Sequence, residues 1–147
     1  MNRYQILIEY EGTLYNGWQI QKKGKSIQEN IEIILSKLLK EKIKVYGSGR
    51  TDTGVHAKEQ SAHFDTTNKI IQKDKLLNSL NFFLNKKKIS ILKIKKKNKL
   101  FHSRYSAKER WYTYLIRNDV SPSVINSNRE WHVKKKINVE LLSLIHI

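Results

Sequence analysis

The spacing of apolar residues changes along this chain in an order that few folds can absorb. Ile6, Ile8 and Tyr10 alternate with Gln5, Leu7 and Glu9, which predicts a strand over residues 4–10 with one face buried. From Ser26 the period lengthens. Ile27, Ile31, Ile34, Leu35 and Leu38 mark one stripe of a helix. Ser26, with Glu29 three residues on, has the pattern of a capping box, in which each side chain answers a backbone N–H left over at a helix start. Strand-like runs return at residues 43–46 and 60–64. Leu76, Leu77, Leu80, Phe83 and Leu84 restore helical spacing over residues 74–84, and residues 89–94 alternate again. The order βαββαβ predicts an α+β fold of the ferredoxin-like, split-βαβ kind, an antiparallel sheet with its helices on one face. One more strand, over residues 110–116, is expected to extend that sheet.

The same pass along the chain places a first domain at residues 1–105 and the start of a second at 106–147. Asn138 is positioned to cap a helix beginning with Val139, Leu141 and Leu142. Only Leu144, Ile145, His146 and Ile147 remain after Ser143, so this second domain is expected to be incomplete.

Composition narrows the chemistry. There is no cysteine, which excludes disulfides, thiolate metal sites and cysteine nucleophiles. The five histidines show no metal-ligand spacing, and no metal is expected. No apolar run approaches the length of a bilayer, and Glu9 interrupts the only apolar segment near the start, so no membrane partner is expected and a cytoplasmic location is. Lys and Arg number 29 against 13 Asp and Glu, a net charge of +16 that suits a polyanion such as nucleic acid. Of these cations 23 are lysine and six arginine, a bias that an AT-rich genome imposes on any protein. The runs Lys86-Lys87-Lys88 and Lys95-Lys96-Lys97 therefore read first as solvated surface. Arg104 and Arg110 have better claims on phosphate, because a guanidinium fork matches its oxygens.

Residues 47–57, Gly-Ser-Gly-Arg-Thr-Asp-Thr-Gly-Val-His-Ala, form a glycine-framed loop after the second strand. If it is extended, Arg50 and Asp52 project to one side within reach of each other, and the arginine favours the ionised carboxylate. Such a carboxylate can serve as a nucleophile or a general base. A glycine turn pinned by a surface Arg–Asp pair is the plainer alternative.

Residues 49–57 closely resemble the active-site motif of the TruA family of tRNA pseudouridine synthases, commonly written GRTDAGVHA, with Thr53 in place of its alanine. Residues 8–19 resemble that family's IEYDGxxYxGWQ. Ser26-Ile27-Gln28-Glu29 resembles its SVQE, and residues 101–107 followed by 110–114 resemble its FHARFSA and RxYxY. The resemblance implies isomerisation of uridine to pseudouridine at positions 38–40 of the tRNA anticodon arm, without cofactor or metal. It implies Asp52 as catalytic carboxylate and a homodimer as the assembly. It also implies that Arg50 holds Asp52 and the phosphate or fills the space left by the extruded base, and that Tyr112 packs on the flipped uracil. Full-length members carry a second α/β domain that completes the RNA cleft.

Several residues carry further expectations. One of Tyr112 and Tyr114 is expected in the core, with Trp18 and Trp111 as core or loop anchors. His56 and His63 are expected to be held in turn and sheet, and His102, beside Arg104, to touch phosphate. Two other functions fit the same residues: a basic RNA-binding fragment without catalysis, and an inactive, truncated remnant.

Overall fold

The computed structural model describes residues 1–68 and 72–144, which leaves the expectations placed on Ile145, His146 and Ile147 outside it. These residues divide into two compact units, one running from Met1 to Lys108 and the other beginning at Glu109.

In the first unit the strands β1 (Asn2–Tyr10), β2 (Val45–Gly47), β3 (Ala57–Thr66) and β4 (Ile89–Lys97) form one sheet in the order β2-β3-β1-β4. All three pairings are antiparallel. The helices α1 (Ile27–Leu39) and α2 (Lys73–Leu84) follow β1 and β3. Each crossover therefore returns to a parallel strand with one antiparallel strand between, which is the predicted split-βαβ plan.

The register shows why one face carries the core. Tyr4 pairs with Phe64 and Ile6 with Ala62, and each of these four is 3% exposed or less. Residues directly opposite lie on the same side of a pleated sheet, so the even-numbered residues of β1 share the helix face. Ile27, Ile31, Ile34 and Leu35 of α1 and Leu76, Leu80 and Leu84 of α2 close over them in one cluster. Full burial of each such side chain contributes about 1.5–3 kcal/mol. Ser26 starts α1 as expected, its hydroxyl accepting from the Glu29 N–H at 3.2 Å. In β4 the core residues are Ile89, Ile91 and Ile94, a spacing that breaks strict alternation. The register with β1 slips at Leu7 and Ile8, leaving Leu92 as the extra residue of a bulge, and this returns Ile94 to the core side.

The second unit departs from expectation. The strand expected over residues 110–116 is not formed and does not extend the four-stranded sheet. The extended pairing begins at Leu115, whose carbonyl accepts from the Trp131 N–H at 2.7 Å. Strand β5 (Ile116–Asn118) then pairs in parallel with β6 (Trp131–Val133), in a sheet of its own. Alternation yields a strand only where a neighbour takes up the backbone groups, and among the described residues no strand pairs with residues 110–114. Tyr112 and Tyr114 are consequently both exposed. So is Trp111, whose indole N–H donates to Glu109 at 3.0 Å, so it is not a buried anchor. Helix α3 (Val139–Leu144) does begin at Asn138, whose side-chain oxygen accepts from the Leu141 N–H at 3.2 Å. Among the described residues no helix is long and apolar enough to cross a membrane.

Candidate active site

Strand β2 ends at Gly47, and residues 48–56 loop back to β3. A second loop, residues 11–18, lies against this one. The Trp18 N–H donates to the Thr51 carbonyl at 3.0 Å, the Gly54 N–H to the Tyr15 carbonyl at 3.2 Å, and the Gly12 N–H to His56 Nδ1 at 3.1 Å. So close an approach needs glycine. A Cβ on Gly12 would stand 2.0 Å from the Val55 carbonyl oxygen, and one on Gly17 would stand 2.4 Å from that of Thr51. Gly54 has a different reason. No atom lies within 4 Å of a Cβ there, but its φ is +79°. The Val55 N–H closes a turn onto the Asp52 carbonyl at 3.2 Å, and a turn with positive φ at its third residue is of type II, which glycine favours.

Buried side chains hold the other end of the loop. Gln60, on the core side of β3, donates through Nε2 to the Gly49 carbonyl at 3.1 Å and accepts from the Tyr10 hydroxyl at 2.9 Å. The Tyr10 oxygen also lies 2.7 Å from Thr51 Oγ1. Tyr10 gives its one proton to Gln60, so Thr51 is the donor in that second bond. The chain is thus clamped on both sides of Arg50, at Gly49 and at Thr51, and turns immediately after Asp52. The side chains of Arg50, Asp52 and Thr53 are left exposed.

This anchoring corrects one expectation. Arg50 and Asp52 form no ion pair; none of the ion pairs among the described residues joins them. The same-side argument holds for a strand, but the strand ends at Gly47, and the clamp and the turn then set where each side chain points. The candidate site is a carboxylate, Asp52, exposed on a loop whose backbone is tied on both sides, with Arg50 exposed two residues before it.

His102 and Arg104 are brought together by another device. Arg3 forms a bidentate pair with Asp65, at 2.8 and 2.7 Å, and also donates to the carbonyls of Lys99 and Phe101 at 2.9 and 2.7 Å. That hydrogen bonding holds the Asp65 carboxyl below its ordinary range. The bonds tie residues 99–101 to the sheet. Ser103 then sits buried with its hydroxyl 2.9 Å from His63 Nδ1, and the Arg104 N–H donates to His102 Nδ1 at 3.2 Å. His63 is fully buried and neutral. Burial, together with the charges of Arg3 and His102, lowers its pKa to about 4, against the opposing pull of Asp65 and a backbone hydrogen bond with Tyr46. Arg110 and Tyr112 belong to the second unit. Among the described residues no cluster of histidine and carboxylate side chains could hold a metal ion.

Tyr10, Thr51 and Gln60 were not legible as site residues. Tyr10 reads as one more core position of β1. The one available signal was Gln60, a polar residue at an inward position of a strand, which must find partners inside.

Residues 6–106 match the tRNA pseudouridine synthase family. The chain is 57% identical over 142 residues to the tRNA pseudouridine synthase A of Pelagibacter ubique, an alignment covering 97% of this chain and 58% of that protein. It is 45% identical to the synthase of Anaplasma phagocytophilum, covering 94% and 56%, and 44% identical to that of Neorickettsia sennetsu, covering 95% and 58%. The chain thus spans somewhat over half the length of these curated relatives.

Proposed function

The chain belongs to the tRNA pseudouridine synthase family, and on that premise we propose that it isomerises uridine to pseudouridine in tRNA with Asp52 as the catalytic carboxylate. In this reaction the bond between N1 and the ribose carbon breaks and the uracil turns. C5 then bonds to the same carbon, giving up its hydrogen as a proton while N1 gains one. Atoms balance without oxidant or reductant. The observation that carries the reading is the clamped loop. The carboxylate is exposed, yet its backbone is tied at Gly49, Thr51 and Gly54, so it can meet an extruded nucleotide without a search through loop conformations.

Arg50, exposed beside it, meets a phosphate or fills the space the base vacates, and Tyr112 stacks on the uracil. Arg104, Arg110 and His102 contact the tRNA backbone. The same reading places the modified uridines at positions 38–40 of the anticodon arm, and the protein in the cytoplasm as a homodimer. The test is release of tritium from the uracil C5 of labelled tRNA. Asp52→Asn is expected to abolish release while tRNA affinity stays within a few-fold, and unchanged release by that variant would sink the assignment.

A further inference from the structure

The sheet face turned away from the helices carries, around His102 and Arg104, a group of rings that contact with the tRNA backbone does not account for. Gln5 pairs with His63 and Tyr46 with His63, so the three share that face. Residues 99–105, held by Arg3, fold over part of it and bring several rings together. Tyr46 stacks on His63 with centroids 5.2 Å apart, His102 meets the edge of His63 at 4.6 Å, and Tyr105 lies 4.4 Å from His102. Tyr46 and His102 are 6.2 Å apart, so the rings run continuously from Tyr46 to Tyr105. His63 and Ser103 form a buried floor, while Tyr46 is 47% exposed and Tyr105 is 78% exposed.

Rings that are exposed and contiguous, on a well-tied floor, have the character of an interaction surface. The neighbouring charges indicate its chemistry. The Arg104 guanidinium lies 6.0 Å from the Tyr105 ring centre and the Lys97 ammonium 4.9 Å from that of Phe101. Lys93, Lys95 and Lys97 stand opposite Leu7, Gln5 and Arg3 and so share this face. Asp65, the carboxylate beneath, is already taken by Arg3. A shallow basin of about 430 Å³ opens alongside, lined by Lys96, Lys97, Asn98, Leu100, Phe101 and Ser106. Flat rings bordered by cations suit a ligand with planar faces and repeated negative charges.

We propose that Tyr46, His102 and Tyr105 form a ledge on which unpaired bases of an RNA stack, with Arg104 and Lys97 meeting the adjoining phosphates. The proposal rests on the reading of the chain as acting on RNA and names the part of the RNA taken here. Tyr46 leads through Gly47 into the loop that carries Asp52, and the nucleotides assigned to the ledge are ones other than the reacting uridine.

The test is fluorescence anisotropy of the purified 147-residue chain with a labelled single-stranded 12-mer, and with a blunt RNA duplex as the form lacking unpaired bases. Tyr46→Ala and Tyr105→Ala should each weaken single-strand binding about tenfold, leave duplex binding unchanged and leave the salt dependence unaltered. Tyr46→Phe and Tyr105→Phe keep the ring and should bind within threefold of the parent. Thermal melting of each variant checks that the fold is retained. Alanine variants that bind the 12-mer as the parent does, phenylalanine variants that lose as much as alanine, or a parent chain that binds no single strand would each overturn the ledge. Tritium release reports separately on catalysis. No release with the alanine effect intact sinks the proposed reaction alone, and release with no alanine effect sinks the ledge alone.

Discussion

The hydroxyl oxygens of Tyr10 and Thr51 lie 2.7 Å apart, joining a core strand to the residue that precedes Asp52. Through Gln60 the same link reaches the Gly49 carbonyl, so a buried polar chain supports the backbone on which Asp52 is exposed. Removing the Tyr10 hydroxyl would leave Gln60 Oε1 and the Thr51 hydroxyl unpaired. Tyr10→Phe is therefore expected to cost about 1–3 kcal/mol in denaturant unfolding. A loosened loop should lower kcat by about tenfold to a hundredfold with little change in KM. Thr51→Val should behave the same way, and Thr51→Ser, which restores a hydroxyl, should recover most of the rate. A uniform loss of rate and stability in all three variants, Ser included, would show that the link merely packs.

The loop glycines separate steric need from conformational need. Gly54→Ala places a methyl in open space but forces an L residue to φ +79°, and should cost about 1–2 kcal/mol. Gly12→Ala sets a methyl 2.0 Å from a backbone oxygen, so the two loops must part. Its cost should exceed that of Gly54→Ala, with loss of the hydrogen bond from residue 12 visible as a shift of the His56 imidazole resonances. Equal stabilities of the two variants would contradict this account.

His63 makes stability depend on pH in a defined window. Its folded pKa is about 4 against an ordinary 6.5, so between these values the unfolded chain binds a proton that the folded chain excludes. Stability should be fully present above pH 6.5 and fall as pH drops toward 4, by no more than about 3 kcal/mol. Asp65 and Glu41, whose carboxyls are held low by hydrogen bonds from Arg3 and Thr66, add their losses at still lower pH. Urea unfolding at pH 7.5 and 5.0 measures the difference, and His63→Gln should flatten it.

Arginine and lysine should contribute unequally to RNA affinity. Lys86 lies over the Phe82 ring of α2 and Lys87 donates to Asn30 of α1 at 2.7 Å, so two lysines of this run are already engaged within the protein. Arg104→Gln is expected to reduce the slope of log K against log salt by about one unit. Neutralising Lys86, Lys87 and Lys88 together should reduce it by less, and a larger effect of the lysines would reverse the ranking.

The apolar period and the Ser26 cap were enough, by themselves, to determine β1, α1, α2 and the βαββαβ order. These are properties of residues a few positions apart. The order in turn determined the sheet, because two right-handed crossovers with their helices on one face leave few arrangements. The glycine frame of residues 47–57 marked a loop, though not what it lies against; that Gly12 and Gly17 must be glycine is visible only in the packed loops. What the tertiary structure alone decided involves partners distant in sequence. The Leu92 bulge depends on the register against β1. The tie from Tyr10 to Thr51 spans 41 residues and that to Gln60 spans 50, and neither residue announces the other. Arg50 and Asp52 are two apart, yet the clamp at Gly49 and Thr51 and the turn onto Val55 hold them without an ion pair. Residues 110–114 show the converse, since their alternation is strand-like but among the described residues no ladder receives it. Periodicity records which side of a segment is apolar; only packing supplies the neighbour that a hydrogen bond requires.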